Sequence, residues 1–206
     1  MPAPQTTPRP ADARPALGHV NLMVDTFIAN ANVEDLRSIV RSLLATNPPH
    51  FAGSFTTAAR NRLRQTSARA SVNPYTLFTP KSHSHPGSAA PTQHLHDVLA
   101  RARALYGAGM GFTSLNVLAS IVHASLGLRW EEDDDLADLF AIIDADIGQA
   151  IQAKEIDSGR VHDFNHARAI VDNLRDAIKA SMSDVASWGG EFPFERASCS
   201  LNYWKI

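Results

Sequence analysis

The chain has 206 residues, 44% hydrophobic and 19% charged, with 19 Lys and Arg against 21 Asp and Glu and a formal net charge of −2. That balance excludes a collagen-like, low-complexity or disulfide-stapled chain, and at this length folding buries about 70% of the unfolded surface, enough for one self-sufficient core. The near-neutral total is a cancellation: residues 1–35 hold two basic and four acidic side chains, residues 36–103 nine and one, and residues 104–206 eight and sixteen.

Residues 1–17, rich in proline and without an apolar run, read as a disordered tail with no secretory signal. The single cysteine, Cys199, has no internal partner, which fits a reducing cytoplasmic or nuclear setting. Apolar residues recur at three- and four-residue spacing and nowhere alternate for long, so the expected class is all-α: an antiparallel helical bundle of about six or seven helices. A basic helical segment is expected over 18–70, a Pro/Ser/His linker over 71–91, and an acidic bundle completing the single domain over 92–206.

In chain order, Val20, Met23, Val24, Phe27 and Ile28 mark a first helix from Gly18 to about Ala31. Asn32, with Asp35 three residues on, caps a second that carries Leu36, Ile39, Val40, Leu43 and Leu44 to the stop at Asn47-Pro48-Pro49. Ser54 is placed as the cap of an Arg-rich third helix, Thr92 of a fourth ending near Gly107, and Thr113 of a fifth running to about Gly127. No charged residue occurs from Ala104 to Leu128, but four glycines, Asn116 and His123 interrupt that span, so a central bundle helix is expected rather than a membrane crossing. Glu131 to Glu155 reads as a helix with Leu136, Leu139, Phe140, Ile143, Ile147, Ala150 and Ile151 on one face. Val161 to Trp188 reads as another, with Phe164, Ala167, Val171, Leu174, Ile178, Met182 and Val185. The aromatic tail from Glu191 is expected to fold back on the bundle.

Four patterns could carry chemistry. Asp134-Asp135-Leu136-Ala137-Asp138 places its first and last carboxylates one turn apart on a helix. Here the sequence resembles the aspartate-rich motif of terpene synthases and prenyltransferases. The resemblance implies an all-α enzyme in which Asp134, Asp135 and Asp138 hold Mg²⁺ against a diphosphate, with the uncharged helix lining an apolar pocket. The match covers five residues, and no second motif of the Asn-Ser-Glu type follows. The same acids also suit a plain helix start, where the macrodipole favours negative charge by about 0.3–1 kcal/mol each.

His162-Asp163-Phe164-Asn165-His166 puts His162 and His166 at i and i+4 and is similar to the zincin H-E-x-x-H, with Asp in place of Glu. His94-Leu95-His96-Asp97, beside His83 and His85, contains a His-Asp step that resembles the metal-binding step of HD phosphohydrolases. Asp144-Ala145-Asp146 with Glu155 resembles an EF-hand loop in part, but Gln149 stands where its glycine belongs and helical periodicity runs straight through. For each of these, ordinary helix or loop residues are the plainer alternative.

Arg60, Arg62 and Arg64 form a basic stripe that could meet phosphates, although no aromatic interleaving or known DNA-binding signature accompanies it. Pairing with the acidic segment, within the chain or across copies, is the plainer use. The stretch Asp35 to Leu44 followed by Asn47-Pro48-Pro49 is similar, faintly, to the start of helical adaptors that tether proteasomes in the nucleus.

The leading expectation is a non-enzymatic interaction or scaffold protein, self-associating or binding a protein partner through helices of complementary charge, with no membrane span and no cofactor. The alternatives are a Mg²⁺-dependent enzyme on a diphosphate or prenyl substrate, and a nucleic-acid-binding protein.

Overall fold

The structure, a computed structural model, describes residues 22–67, 72–81, 86–131, 134–157 and 163–204, with the backbone alone at 22–23, 67 and 154–157. It is all-α apart from one small ribbon. The helices are α1 (Leu22–Asn30), α2 (Val33–Thr46), α3 (Pro49–Ser67), α4 (Gln93–Gly107), α5 (Gly111–Ala124), α6 (Asp135–Asp157), α7 (Phe164–Trp188) and α8 (Glu195–Tyr203). The expected disordered tail lies outside the described residues. The chain divides into two compact units at Ala52/Gly53, a boundary that falls within α3.

In the first unit, the Asn32 side chain accepts the Asp35 N–H at 2.8 Å and caps α2, as its position predicts. α2 ends where Asn47 closes onto the Leu43 carbonyl, before two prolines. The next helix starts earlier than the expected Ser54, at Pro49. Proline lacks the N–H that a first helical position would leave unsatisfied anyway, so the helix loses nothing by opening there.

The second unit is organised around α5, which packs against α4, α6 and α7. Leu115, Leu118, Ala119, Ile121 and Val122 are fully buried on it, which accounts for a helix without charges. Its 14 residues rise about 21 Å, short of a bilayer core, and among the described residues no helix is long and apolar enough to cross a membrane. Thr113 does not cap this helix. It begins at Gly111 behind Met110, which makes no side-chain cap bond.

Part of the expected linker has regular structure. A short 3₁₀ turn over Pro74–Thr76 leads into β1 (Phe78–Pro80), paired antiparallel with β2 (Ala89–Pro91). Three-residue strands are too short to show a period of two, and each ends in a proline, which confines it to a small ribbon. Leu77 and Ala89 seat this ribbon in the core. Thr92 then caps α4 by accepting the Leu95 N–H.

α8 folds back as expected, burying Phe194, Ala197, Leu201 and Trp204. Both of its ends are satisfied from other helices. Asp144 of α6 accepts the Ala197 N–H at 2.8 Å, and Arg175 of α7 donates to the Leu201 and Trp204 carbonyls at 3.3 and 2.6 Å. A carboxylate at the N-terminus and a guanidinium at the C-terminus also match the sign of the helix dipole.

Candidate functional site

A cavity of about 760 Å³ opens between the start of α6, the turn after α7 and the start of α8. Its walls are Trp130, Trp188, Phe192 and Pro193, with Ala137 and Ala141 from α6. Around them stand the carboxylates of Glu131, Asp138, Asp144, Glu191 and Glu195, with the guanidinium of Arg196. The shape follows from local sequence. Gly189, at φ +78°, ends α7 in the left-handed conformation, and at Gly190 any Cβ would overlap the Trp188 ring.

The aromatic wall is continuous with the core. Trp130 meets Trp188 edge-on at 5.2 Å between centroids and Phe140 at 4.7 Å, and Phe140 in turn meets Phe194. The Arg129 guanidinium lies 5.2 Å from the Trp188 ring centroid and forms two bonds to Asp184, at 3.0 and 3.2 Å. Asp184 also accepts the Gly127 N–H. Partial burial alone would raise Asp184, but the Arg129 hydrogen bond and the Gly127 N–H hold it below its ordinary value. The Trp188 indole N–H is buried and has no acceptor among the described residues.

Burial pushes the Asp144 carboxyl up, partly countered by the N–H groups of Ala197 and Arg196 and by the Arg196 charge, while Glu195 adds to the rise. Asp146 lies under α4, where Arg103 bonds it at 2.9 Å and the Tyr106 hydroxyl donates to it at 3.0 Å. The Asp146 hydrogen bond raises Arg103; burial first, and then that same acceptor, raises Tyr106. The residues resembling an EF-hand loop are therefore part of continuous helix α6, with both aspartates engaged in packing. The Glu155 side chain lies outside what is described.

The aspartate-rich motif is divided. Asp134 pairs with Lys81 at 3.3 Å, Asp135 is exposed at the first position of α6, and Asp138 alone of the three borders the cavity. The uncharged helix expected to line a pocket contributes no residue to this one. Among the described residues no three His, Cys, Asp or Glu side chains are grouped to hold a metal ion.

His166 is exposed on the first turn of α7, and His162 lies outside the described residues, as do His83 and His85. Asp163, in the place of a zincin's glutamate, is the N-cap of α7 and accepts the His166 N–H at 2.9 Å. His94 and His96 are exposed on the first turn of α4.

Arg60 does not belong to an exposed basic stripe. It is buried, and its Nε donates to the Ala108 carbonyl at 2.6 Å, closing the end of α4. The side chains of Arg62 and Arg64 are exposed and make no ion pair or hydrogen bond among the described residues. The remaining candidate surface is in the first unit. Val24, Phe27 and Ile28 of α1 are about half exposed at i, i+3 and i+4, and no residue of α2 is buried.

Sequence reasoning did not single out Trp130, Trp188 or Phe192 as site residues. The available signal was a tryptophan followed by two glycines, a helix stop that leaves a large ring at the end of a helix. Comparison with protein-family models, curated proteins and solved structures yields no match.

Proposed function

We propose that the chain is a non-enzymatic helical interaction protein that pairs with a second copy of itself through the apolar faces of α1 and α2. The observation that supports this reading is α2, a helix of 14 residues with an apolar stripe and no buried residue. Leu36, Val40 and Leu44 are half-buried on that stripe, while Ile39 and Leu43 are 40% and 43% exposed. An apolar stripe without charges is complementary to its own copy, which a two-fold contact requires.

Burying the remaining surface of Val24, Phe27, Ile28, Ile39 and Leu43 contributes about 1 kcal/mol each, hence about 10 kcal/mol over two copies before the cost of association. That is the range of a reversible, concentration-dependent dimer. Light scattering across about 1–200 µM should show the mass rising toward twice the monomer. Ile39→Glu with Leu43→Glu should abolish the rise without loss of helicity. A wild type that stays monomeric throughout refutes self-pairing.

A second reading, nucleic-acid binding, is favoured by Arg62 and Arg64 on α3, whose side chains make no ion pair among the described residues. It requires an affinity that falls steeply with salt and weakens on Arg62→Ala and Arg64→Ala.

A further inference from the structure

We infer that the cavity beside α6 and α8 binds an organic cation: an ammonium or guanidinium group on a short apolar stem. Its volume, about 760 Å³, is that of a small-molecule site. Glu131, Asp138, Glu191 and Glu195 surround it and make no ion pair among the described residues, and Arg196, the one opposing charge among those described, sits exposed in its lining. Carboxylates gathered around a concave, partly apolar surface repel one another, and a cation between them relieves that repulsion. The same field repels a phosphate or diphosphate.

The walls suit the rest of such a ligand. Indole rings bind cations best of the aromatic side chains, and Trp188 already carries the Arg129 guanidinium against its ring. Phe192 and the partly exposed Trp188 supply apolar surface for an alkyl stem, and Trp130, 9% exposed, backs Trp188 edge-on from the core. The cation can come from a free amine or from the Lys or Arg side chain of a polypeptide, since both present the same group.

The test is a titration of the full-length chain followed by tryptophan fluorescence, to which two of its three tryptophans contribute from the cavity wall. The probes are n-butylguanidinium and its neutral near-isostere n-butylurea, at low salt. A saturable change is expected with butylguanidinium up to about 10 mM and none with butylurea. Asp138→Asn with Glu191→Gln, both at exposed positions, should weaken binding about fivefold, the effect of removing two partly screened charge contacts. Circular dichroism and the urea midpoint verify that this variant is folded.

A synthetic peptide of residues 57–67, carrying Arg60, Arg62 and Arg64, separates the two sources. Binding much tighter than butylguanidinium, and weakened by the same variant, assigns the site to a polypeptide arginine; equal or weaker binding assigns it to a free cation. Failure of butylguanidinium to saturate, equal binding of butylurea, or unchanged affinity in the folded double variant overturns the proposal.

Discussion

Asp144 offers the sharpest test of how this fold is held. It is 5% exposed, sits mid-helix on α6, and accepts the N–H of Ala197, itself fully buried at the start of α8. Phe194, the cap residue of α8, makes no side-chain bond to that terminus. Asp144→Ala therefore leaves a buried donor without an acceptor, a loss of about 1–3 kcal/mol out of a total stability of about 5–15. Asp144→Asn keeps a carbonyl oxygen in place and removes a desolvated charge, so at pH 7 it should lie within about 1 kcal/mol of wild type. Urea denaturation gives these differences, and amide exchange at Ala197 localises them, accelerating about tenfold per 1.4 kcal/mol.

The pH dependence has a definite sign. Burial raises the folded-state value of Asp144 above the unfolded one, so the folded protein takes up this proton first. The group's contribution to stability is full below the unfolded value and is lost as pH rises through the folded value. Wild type should therefore gain on Asp144→Asn as pH falls across that window. Equal stability of the Ala and Asn variants would refute the capping role; a wild type that loses ground to Asn toward acid would refute the raised value.

Two further perturbations test other joints. Asp184 is held low by Arg129 and Gly127, so its contribution is present above about pH 3.9 and lost as pH falls through its lower folded value. In denaturant melts, Asp184→Asn should cost about 1 kcal/mol or less at pH 7, since the pair is partly exposed, and the cost should vanish in strong acid. Glycine substitutions should divide by site. Gly87, at φ +90°, would bring an added Cβ within 2.7 Å of Arg129 Cγ and 2.9 Å of the Gly127 carbonyl, so Gly87→Ala should destabilise by about 2–3 kcal/mol. Gly148, inside α6 with open space around its Cβ, should gain about 0.5–1 kcal/mol on Gly148→Ala in the same thermal or urea melts.

Helical periodicity made most of the core legible before any coordinates. Leu136, Leu139, Phe140, Ile143, Ile147 and Ala150 are all buried on α6, as their spacing requires. On α7 the stripe was right at Ala167, Val171, Leu174, Ile178 and Val185. It was wrong at its margins: Phe164 is 63% exposed on the first turn and Met182 is 43% exposed, while the small residues Ala177 and Ser181 are buried. Apolarity misleads there because a helix packed closely against α5 favours small side chains at the contact, and a first turn can project beyond its neighbours. Asp144 and Asp146 were illegible as buried residues, because a pattern of polarity assigns acids to solvent and cannot see the amide or guanidinium that receives them. The cavity was illegible for a related reason: its tryptophans lie 58 residues apart in the chain and meet only through the fold.

The charge asymmetry with which the chain is written resolves into two populations. One is used internally. Arg60 and Arg175 close helix ends, Arg103 and Arg129 hold Asp146 and Asp184, Lys81 meets Asp134, and Asp144 caps α8. These groups lie at joints between elements, where removing one partner strands the other, so they specify which elements meet. Other charges are turned outward and make no ion pair among the described residues: Arg62 and Arg64 on α3, and Glu131, Asp138, Glu191 and Glu195 around the cavity. Exposed like charges add little to stability and repel when gathered. Folding therefore accounts for the first population and leaves the second unexplained. Clustering of acids beside a partly exposed indole, Trp188, backed by the buried Trp130, is the arrangement expected of a surface that meets a cation, and it is on that surface, rather than in the total of −2, that the charge of this chain carries information about function.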